Sequence, residues 1–208
     1  MLPLYKKGDD ANFGNYRPIS LLPSISKVFE KIVFNQIYEY FQANKLFYKS
    51  QYGFREGHST ELACLELIDK IRQQLDAKQI PVAVFLDLSK AFDTLDHFIL
   101  LEKLAHYGIT GPALLWFKNY LCDRSQFVEF EYYTSKELPL TTGVPQGSIL
   151  GHLLFIIYMN DISTVSDKFS SILYADDSTL EAPLGSFTES IGNINFSLIY
   201  IYKIYAIS

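Results

Sequence analysis

The segment Pro81-Val-Ala-Val-Phe-Leu-Asp87 decides the fold, because its apolar run ends on an acid. A short, nearly continuous apolar run is typical of a strand that is buried on both faces. A carboxylate at the end of such a strand is costly to bury alone, so it needs a hydrogen-bond partner, a countercharge or a metal ion. The segment therefore predicts a buried strand whose terminal acid is paired, hydrogen-bonded or bound to a metal.

A second acidic position lies further along the chain, where Asp176 and Asp177 fall between the expected strands Phe169–Tyr174 and Ser178–Glu181. Adjacent acids repel each other, and a divalent cation relieves that repulsion. If these strands neighbour the strand of Asp87, the carboxylates converge as they do in two-metal phosphoryl-transfer sites. Each piece alone also fits a plain role, because Asp is common in solvated turns and at helix N-caps.

The rest of the chain mixes helices and strands without a regular alternation. Residues 1–24 are turn-rich and predicted to be extended, and the hydrophobic spacing after them predicts five helices and one hairpin. The helices are expected from 24 or 26 to about 43, from 59 or 60 to 79, and around 97–107, 112–121 and 147–162, and the hairpin pairs 126–133 with 136–140. This pattern indicates the α+β class, with helices packed on one face of an antiparallel sheet.

The composition of the 208-residue chain is that of a folded protein, with 49% hydrophobic and 20% charged residues. The net charge of −5 is unusual for a nucleic-acid enzyme, although the first 60 residues carry 8 basic and 5 acidic side chains. Two distant cysteines suggest neither a disulfide framework nor a zinc site. The longest apolar run, Ser148–Met159, is too short to span a bilayer, so no membrane segment is expected.

Five motifs, in order, resemble those of reverse transcriptases from non-LTR retrotransposons of the jockey-like kind. They cover roughly residues 4–181 and comprise two fingers motifs followed by motifs A, B and C. They read Asn15-Tyr-Arg-Pro-Ile-Ser-Leu-Leu22, Gln51-Tyr-Gly-Phe-Arg-Glu-Gly-His-Ser-Thr60, Phe85-Leu-Asp-Leu-Ser-Lys-Ala-Phe-Asp-Thr-Leu-Asp-His97, Gly143-Val-Pro-Gln-Gly-Ser-Ile-Leu-Gly151 and Leu173-Tyr-Ala-Asp-Asp177. One such motif is weak evidence, whereas five in the family's order are strong.

The resemblance implies a right-hand polymerase fold. Residues 1–80 are expected to form a fingers-like subdomain, and residues 81–185 a palm that carries motifs A, B and C. Residues 186–208 are expected to be a degenerate or truncated tail, because this stretch departs from the family pattern, and a thumb is expected to be missing. A second departure is His152, which stands where the family usually has proline.

The resemblance also implies a metal site. Asp87 and Asp176 would ligate two catalytic Mg²⁺ ions, with Asp177 supporting them and the backbone carbonyl of Leu88 adding an oxygen ligand. Mn²⁺ is expected to be able to replace Mg²⁺.

A nucleotide pocket is implied as well. Phe92 matches the ring that crowds the sugar 2′ position, with plain core packing as its alternative. Gln146 and Gly147 match the base of the pocket, although Pro145-Gln146-Gly147 also fits an ordinary turn before a helix.

The fingers motifs supply further implied contacts. Arg17 matches the arginine that grips the incoming triphosphate, with Lys7, or more loosely Lys6, as its partner. The alternative for this lysine pair is a solvated amino terminus. Arg55 is expected in the nucleotide pocket, and Phe54 on the template side or in a plain packing role.

The function implied is RNA-directed DNA polymerisation, with an RNA template, a DNA primer and deoxynucleoside triphosphates as partners. An element-encoded ribonucleoprotein of this kind is expected in the cytoplasm and nucleus. The alternative is a catalytically inert retrotransposon remnant that at most binds nucleic acid.

Overall fold

The computed structural model describes residues 1–88, 90–164 and 167–186, together with the backbone of 200–206. The chain divides into two compact units, each built from two separated pieces. One unit, called unit 1 below, comprises Met1–Leu46 and Phe92–Tyr158, and unit 2 comprises Phe47–Ala91 and Met159–Ser208. The division into residues 1–80, 81–185 and 186–208 concerns functional subdomains and stays a prediction. Most of the tail, residues 187–199 and 207–208, lies outside the described residues.

The predicted helices are confirmed, with small differences at their ends. The structure has α1 Ser24–Ala43, α2 Thr60–Asp76, α3 His97–His106, α4 Gly111–Leu121 and α5 Ile149–Tyr158. Helix α2 ends three residues before the predicted boundary. Helix α5 ends four residues before the predicted boundary at 162, and it begins two residues late because Gly147 has a φ angle of +104°, outside the helical region. Within the described residues, none of the helices is long and apolar enough to cross a lipid bilayer.

Within the part of the chain that the structure describes, the strands form one four-stranded sheet and three two-stranded ones. They are β1 Leu2–Tyr5, β2 Tyr16–Ile19, β3 Pro81–Asp87, β4 Arg124–Gln126, β5 Glu129–Phe130, β6 Tyr133–Thr134, β7 Leu138–Leu140, β8 Ser170–Tyr174, β9 Asp177–Pro183 and β10 Tyr200–Ala206. In unit 2 the order is β10-β3-β9-β8, and every neighbouring pair is antiparallel. Strand β3 has a partner strand on each edge, and five of its seven residues, Pro81–Val84 and Leu86, are buried, in line with the burial that its apolar run predicts.

One face of this sheet holds an apolar cluster and the other lies against α2. Val82, Val84, Leu86 and Ala182 are 2–3% exposed and pack together, and burying each of the larger side chains contributes about 1.5–3 kcal/mol. On the opposite face, polar contacts from α2 join Gln74 to Glu181 and Lys70 to Ser170. The expected packing of a helix on an antiparallel sheet is thus present in unit 2.

The core of unit 1 centres on α5, from Leu150 to Ile157, where every side chain except that of His152 is buried. Helices α1 and α3 both pack against it. Glu30 of α1 is 1% exposed, and its carboxylate accepts the backbone N–H groups of Ile149 and Leu150. These are orphan donors at the start of α5, so the buried acid caps that helix from a distance.

Two local predictions need correction. The single hairpin expected between 126–133 and 136–140 is instead nested, with β4 paired to β7 and β5 paired to β6. Its chain reversal lies inside the expected first strand because Glu131, with φ +53°, turns the chain between Phe130 and Tyr133. In addition, the first 24 residues contain the β1–β2 hairpin, which the sequence indicated only as extended chain.

Candidate metal centre

Asp87 and Asp177 lie directly opposite each other on neighbouring antiparallel strands. Asp87 is the last residue of β3, Asp177 is the first residue of β9, and their Cα atoms are register partners. Residues paired in this way project to the same face of the sheet, with Cβ atoms roughly 4.5–5.5 Å apart. The register alone therefore brings two of the three predicted carboxylates together.

Asp176 lies in the two-residue turn that joins β8 to β9. Tyr174 and Asp177 are register partners, so Ala175 and Asp176 make the turn. Ala175 has φ +57°, the left-handed conformation that few residues other than glycine adopt readily. The turn places Asp176 beside Asp177, and all three acids belong to unit 2. Leu88 follows Asp87 directly, and its carbonyl stays a predicted ligand.

The charges of Asp87 and Asp176 affect the ionisation of Asp177. The pKa of Asp177 is raised from its ordinary value, first by partial loss of solvent and then by the charges of Asp176 and Asp87. Like charges disfavour simultaneous ionisation. A cation bound among them would lower that electrostatic cost.

The donor set fits a hard divalent cation, because carboxylate oxygens are the ligands that Mg²⁺ and Mn²⁺ prefer. Among the residues that the structure describes, no three His, Cys, Asp or Glu side chains already form a metal-ligand cluster. Asp87 and Asp177 nevertheless share one sheet face, with Asp176 next in the chain. The backbone therefore brings the three acids close together, and their side chains would have to turn toward one another to bind a metal ion.

Gln146 and Gly147 lie in a tightly bonded loop of unit 1. The Gln146 side-chain amide donates to the Asp93 carboxylate at 2.8 Å, and the Gln146 carbonyl accepts the Ser20 N–H at 2.8 Å. Gly147 has φ +104°, and a Cβ there would lie 3.2 Å from the Ser20 carbonyl oxygen. Glycine is therefore required at 147 by both conformation and space.

Phe92 packs within unit 1 against two rings of α5. Its ring centroid lies 4.9 Å from that of Phe155 and 5.5 Å from that of His152. Burial lowers the pKa of His152, which favours a neutral imidazole beside the phenyl ring. The backbone carbonyl of Phe92 also accepts the N–H of Val144, so motifs A and B are joined here.

The two residues expected at the triphosphate lie on the amino-terminal hairpin of unit 1. Arg17 is an exposed residue of β2, opposite Leu4, and Lys7 is exposed just beyond β1. Both cations are thus available to solvent.

Phe54 and Arg55 lie in unit 2. Phe54 has φ +55° and is 41% exposed. The Arg55 guanidinium donates to the carbonyls of Tyr48 and Gln51 and lies over the Phe47 ring, 5.0 Å from its centroid. Their assignments to the nucleotide and template sides remain predictions.

The family model described as reverse transcriptase (RNA-dependent DNA polymerase) matches residues 5–184. The chain belongs to the reverse transcriptase family. This reverse transcriptase domain is 38% identical over 167 residues to a probable RNA-directed DNA polymerase from transposon X-element of Drosophila melanogaster. It is 34% identical over 151 residues to the RNA-directed DNA polymerase from mobile element jockey of the same organism. The resemblance to non-LTR retrotransposon enzymes is thereby confirmed.

The similarity covers most of this reverse transcriptase domain and little of its relatives. It spans 78% of the chain and 18% of the X-element protein, and 72% of the chain and 16% of the jockey protein. A solved telomerase from Candida albicans, in complex with a fragment of telomeric RNA, matches 88% of the chain with a TM-score of 0.60. That match covers 35% of the telomerase chain at 14% identity, so it supports the fold alone.

Several residues that organise the reverse transcriptase domain were not found by sequence reasoning. Asp93 accepts a hydrogen bond from the Gln146 amide, and His97 bonds the Gly143 carbonyl through Nε2 at 2.7 Å. The sequence signal for Asp93 and His97 was their position in motif A, a few residues after Asp87. Glu30 had no such signal beyond an acid set among the apolar positions of α1.

Proposed function

We propose that this domain catalyses template-directed deoxynucleotidyl transfer from RNA to DNA at a two-metal site. The observation that carries the proposal is the register that sets Asp87 opposite Asp177, with Asp176 next to them in the turn. A structural turn has no need of a third acid on the neighbouring strand. Family membership favours this chemistry over an unrelated cation site.

The chain's own residues have simple tasks in this reaction. Asp87, Asp176 and Asp177 would hold two Mg²⁺ ions, with Mn²⁺ able to replace them, and the Leu88 carbonyl would add an oxygen. Such ions would supply Lewis-acid activation for the primer 3′-hydroxyl and positive charge for the pyrophosphate leaving group. Catalysis then depends on how firmly the turn holds its carboxylates in position.

The nucleotide side of the proposal rests on the family motifs. Phe92 excludes a ribose 2′-hydroxyl, and Gln146 with Gly147 forms the base of the pocket. Arg17 and Lys7 bind the triphosphate, where the planar guanidinium suits bidentate hydrogen bonds. Arg55 contributes to the nucleotide pocket and Phe54 to the template side.

The partners proposed are an RNA template, a DNA primer and deoxynucleoside triphosphates. The relatives' names describe RNA-directed DNA polymerases of mobile elements. We place the domain in an element-encoded ribonucleoprotein of the cytoplasm and nucleus.

Primer extension on an RNA template with Mg²⁺ tests the proposal. Asp176→Ala should abolish extension and keep the circular dichroism spectrum unchanged, because the turn residue supplies a ligand and no packing. Asp69→Ala, an exposed acid on α2 of the same unit, is the matched control and should extend normally. Equal extension by both variants contradicts the site. Template binding by the wild type without extension favours the inert remnant.

A further inference from the structure

The segment Phe47–Arg55, called the brace below, runs beside β8, the strand that leads into the carboxylate turn. The N–H of Leu173 donates to the carbonyl of Ser50 at 2.9 Å, and the N–H of Tyr52 donates to the carbonyl of Leu173 at 2.7 Å. Gln51 and Leu173 form a parallel bridge. The brace thus covers the backbone of β8 at the edge of the sheet, immediately before the turn.

The brace is fixed along its length. Tyr48 donates its N–H to the Asn160 side chain at 2.7 Å and its hydroxyl to the Ser171 carbonyl at 2.9 Å. The Arg55 guanidinium reaches back to two carbonyls of the brace, those of Tyr48 and Gln51. Because the brace is hydrogen-bonded at both ends and along β8, a shift of the brace also shifts β8 and the turn that follows it.

Helix α2 holds the brace from the other side. The Glu66 carboxylate accepts hydrogen bonds from the Ser50 and Tyr52 hydroxyls and pairs with Lys70 at 2.6 Å. Burial, followed by the hydrogen bond to Glu66, raises the pKa of Tyr52 to about 12. Tyr52 therefore remains a donor to Glu66 throughout the neutral pH range.

Gly53 is where the brace meets the turn. A Cβ at this position would lie 2.8 Å from the Ala175 Cα and 3.0 Å from the Tyr174 carbonyl carbon, and closer still to the Ala175 backbone nitrogen. These are backbone atoms, which cannot rotate away as a flexible side chain does. The Gly53 backbone has no positive φ angle, so the requirement for glycine at 53 is one of space.

We propose that Gly53 is a positioning residue, which sets the carboxylate turn by packing its bare Cα against the backbone of Tyr174 and Ala175. The inference rests on the proposed function, because it assigns to the second fingers motif a role in presenting Asp176 and Asp177. The motif's position along β8 supports this role. Any side chain at 53 displaces Ala175, and with it the two acids that follow in the chain.

Manganese binding by the 208-residue chain, measured by electron paramagnetic resonance of free Mn²⁺, tests the proposal. Gly53→Ala should bind Mn²⁺ at least tenfold more weakly than the wild type, with an unchanged far-ultraviolet circular dichroism spectrum. Gly185→Ala is the matched control, because a Cβ there meets no heavy atom within 4 Å. It should bind as the wild type does.

Amide hydrogen exchange provides a second readout that needs no metal. Gly53→Ala should speed exchange at the amides of 173–178, and Gly185→Ala should not. Unchanged exchange and unchanged Mn²⁺ affinity in Gly53→Ala overturn the proposal, as does an equal loss of Mn²⁺ affinity in both variants. Absence of Mn²⁺ binding by the wild type contradicts the proposed function, and exchange then decides the role of Gly53 by itself.

A milder variant keeps the test informative if Gly53→Ala does not fold. Gln51 is fully buried, and its side-chain carbonyl accepts the Gly53 N–H at 2.8 Å. Gln51→Met keeps the volume and removes this acceptor, so Mn²⁺ affinity should fall about threefold and exchange at 173–178 should rise. Wild-type values for both measurements contradict the inference.

Discussion

The carboxylate turn of unit 2 and the glycine-containing loop of unit 1 are organised in opposite ways. At the turn, strand register and the two-residue turn gather three acids, and the pKa of Asp177 is raised first by partial burial and then by the charges of Asp176 and Asp87. In the loop, the polar groups satisfy each other, since Gln146 bonds Asp93 and His97 bonds the Gly143 carbonyl. The turn therefore gains from a cation, whereas the loop is complete without one.

This difference predicts different responses to substitution. Removing a charge from the turn relieves repulsion, so function should be lost without loss of stability. Removing a polar group from the loop leaves a partner without its hydrogen bond, which typically costs about 1–3 kcal/mol. Stability and activity should therefore separate at the turn and change together at the loop.

Asp87→Asn carries the largest expected effect. Extension should fall by at least about 10³-fold, because a metal ligand in phosphoryl transfer contributes several kcal/mol to the barrier. The melting temperature of the metal-free protein should stay the same or rise, since one like charge beside Asp177 is gone. Single-turnover extension measures the loss of activity, and thermal unfolding measures the melting temperature. A clear loss of stability would place Asp87 among structural acids.

Asp93→Ala tests the loop. The Gln146 amide loses its acceptor, so kcat/KM for a deoxynucleotide should fall roughly tenfold and the free energy of unfolding by about 1–2 kcal/mol. Steady-state extension with varied nucleotide, combined with urea unfolding, makes the comparison. If Asp93→Ala lost activity and kept the stability of the wild type, the loop would respond to substitution as the turn does, and the contrast between them would fail.

Phe92→Ala separates packing from sugar selection. Loss of contacts with Phe155 and His152 should destabilise the protein by about 2–3 kcal/mol. Incorporation of ribonucleotides relative to deoxynucleotides should rise several-fold. Competition assays with matched nucleotide pairs measure the ratio. A destabilised variant with unchanged sugar preference would show that Phe92 has a packing role only.

The smallest expected effect is a pH dependence that arises at the turn. A raised pKa means that the folded state holds the Asp177 proton more tightly than the unfolded state does. The resulting stability is present at low pH and is lost as the pH rises through the folded pKa, above the ordinary carboxyl value of about 4. Asp177→Asn should reduce this slope in metal-free urea unfolding. Part of the slope should remain, because burial also raises the pKa of Glu181.

The sequence was most informative where one local pattern governs one element. The apolar run of Pro81–Asp87 predicts β3 with its observed bounds, and the helical spacing after Pro23 predicts α1 to within two residues at its start. The resemblance to the family implies that Asp87 and Asp176 converge on the same metal ions. The observed register adds that Asp177 stands directly opposite Asp87, and strand pairing of that precision depends on contacts far apart in the chain.

The sequence was least informative where a contact joins distant segments. Nothing local to Gly53 shows that its neighbour is Ala175, because the requirement for glycine comes from space and not from a turn. The nested hairpin depends on Glu131 adopting a positive φ angle, a conformation that glutamate rarely favours. Tertiary packing decides both, and local propensity does not.

The remote cap provided by Glu30 has a consequence for how the chain is made. Its carboxylate bonds the Ile149 N–H, 119 positions later in the sequence. A ribosome adding roughly 5–20 residues per second needs on the order of 6–24 s to reach that partner. During this interval Glu30, which is buried in the folded protein, lacks the backbone N–H donors of Ile149 and Leu150. Unit 1 is therefore completed late in synthesis, after the first piece of unit 2 has emerged.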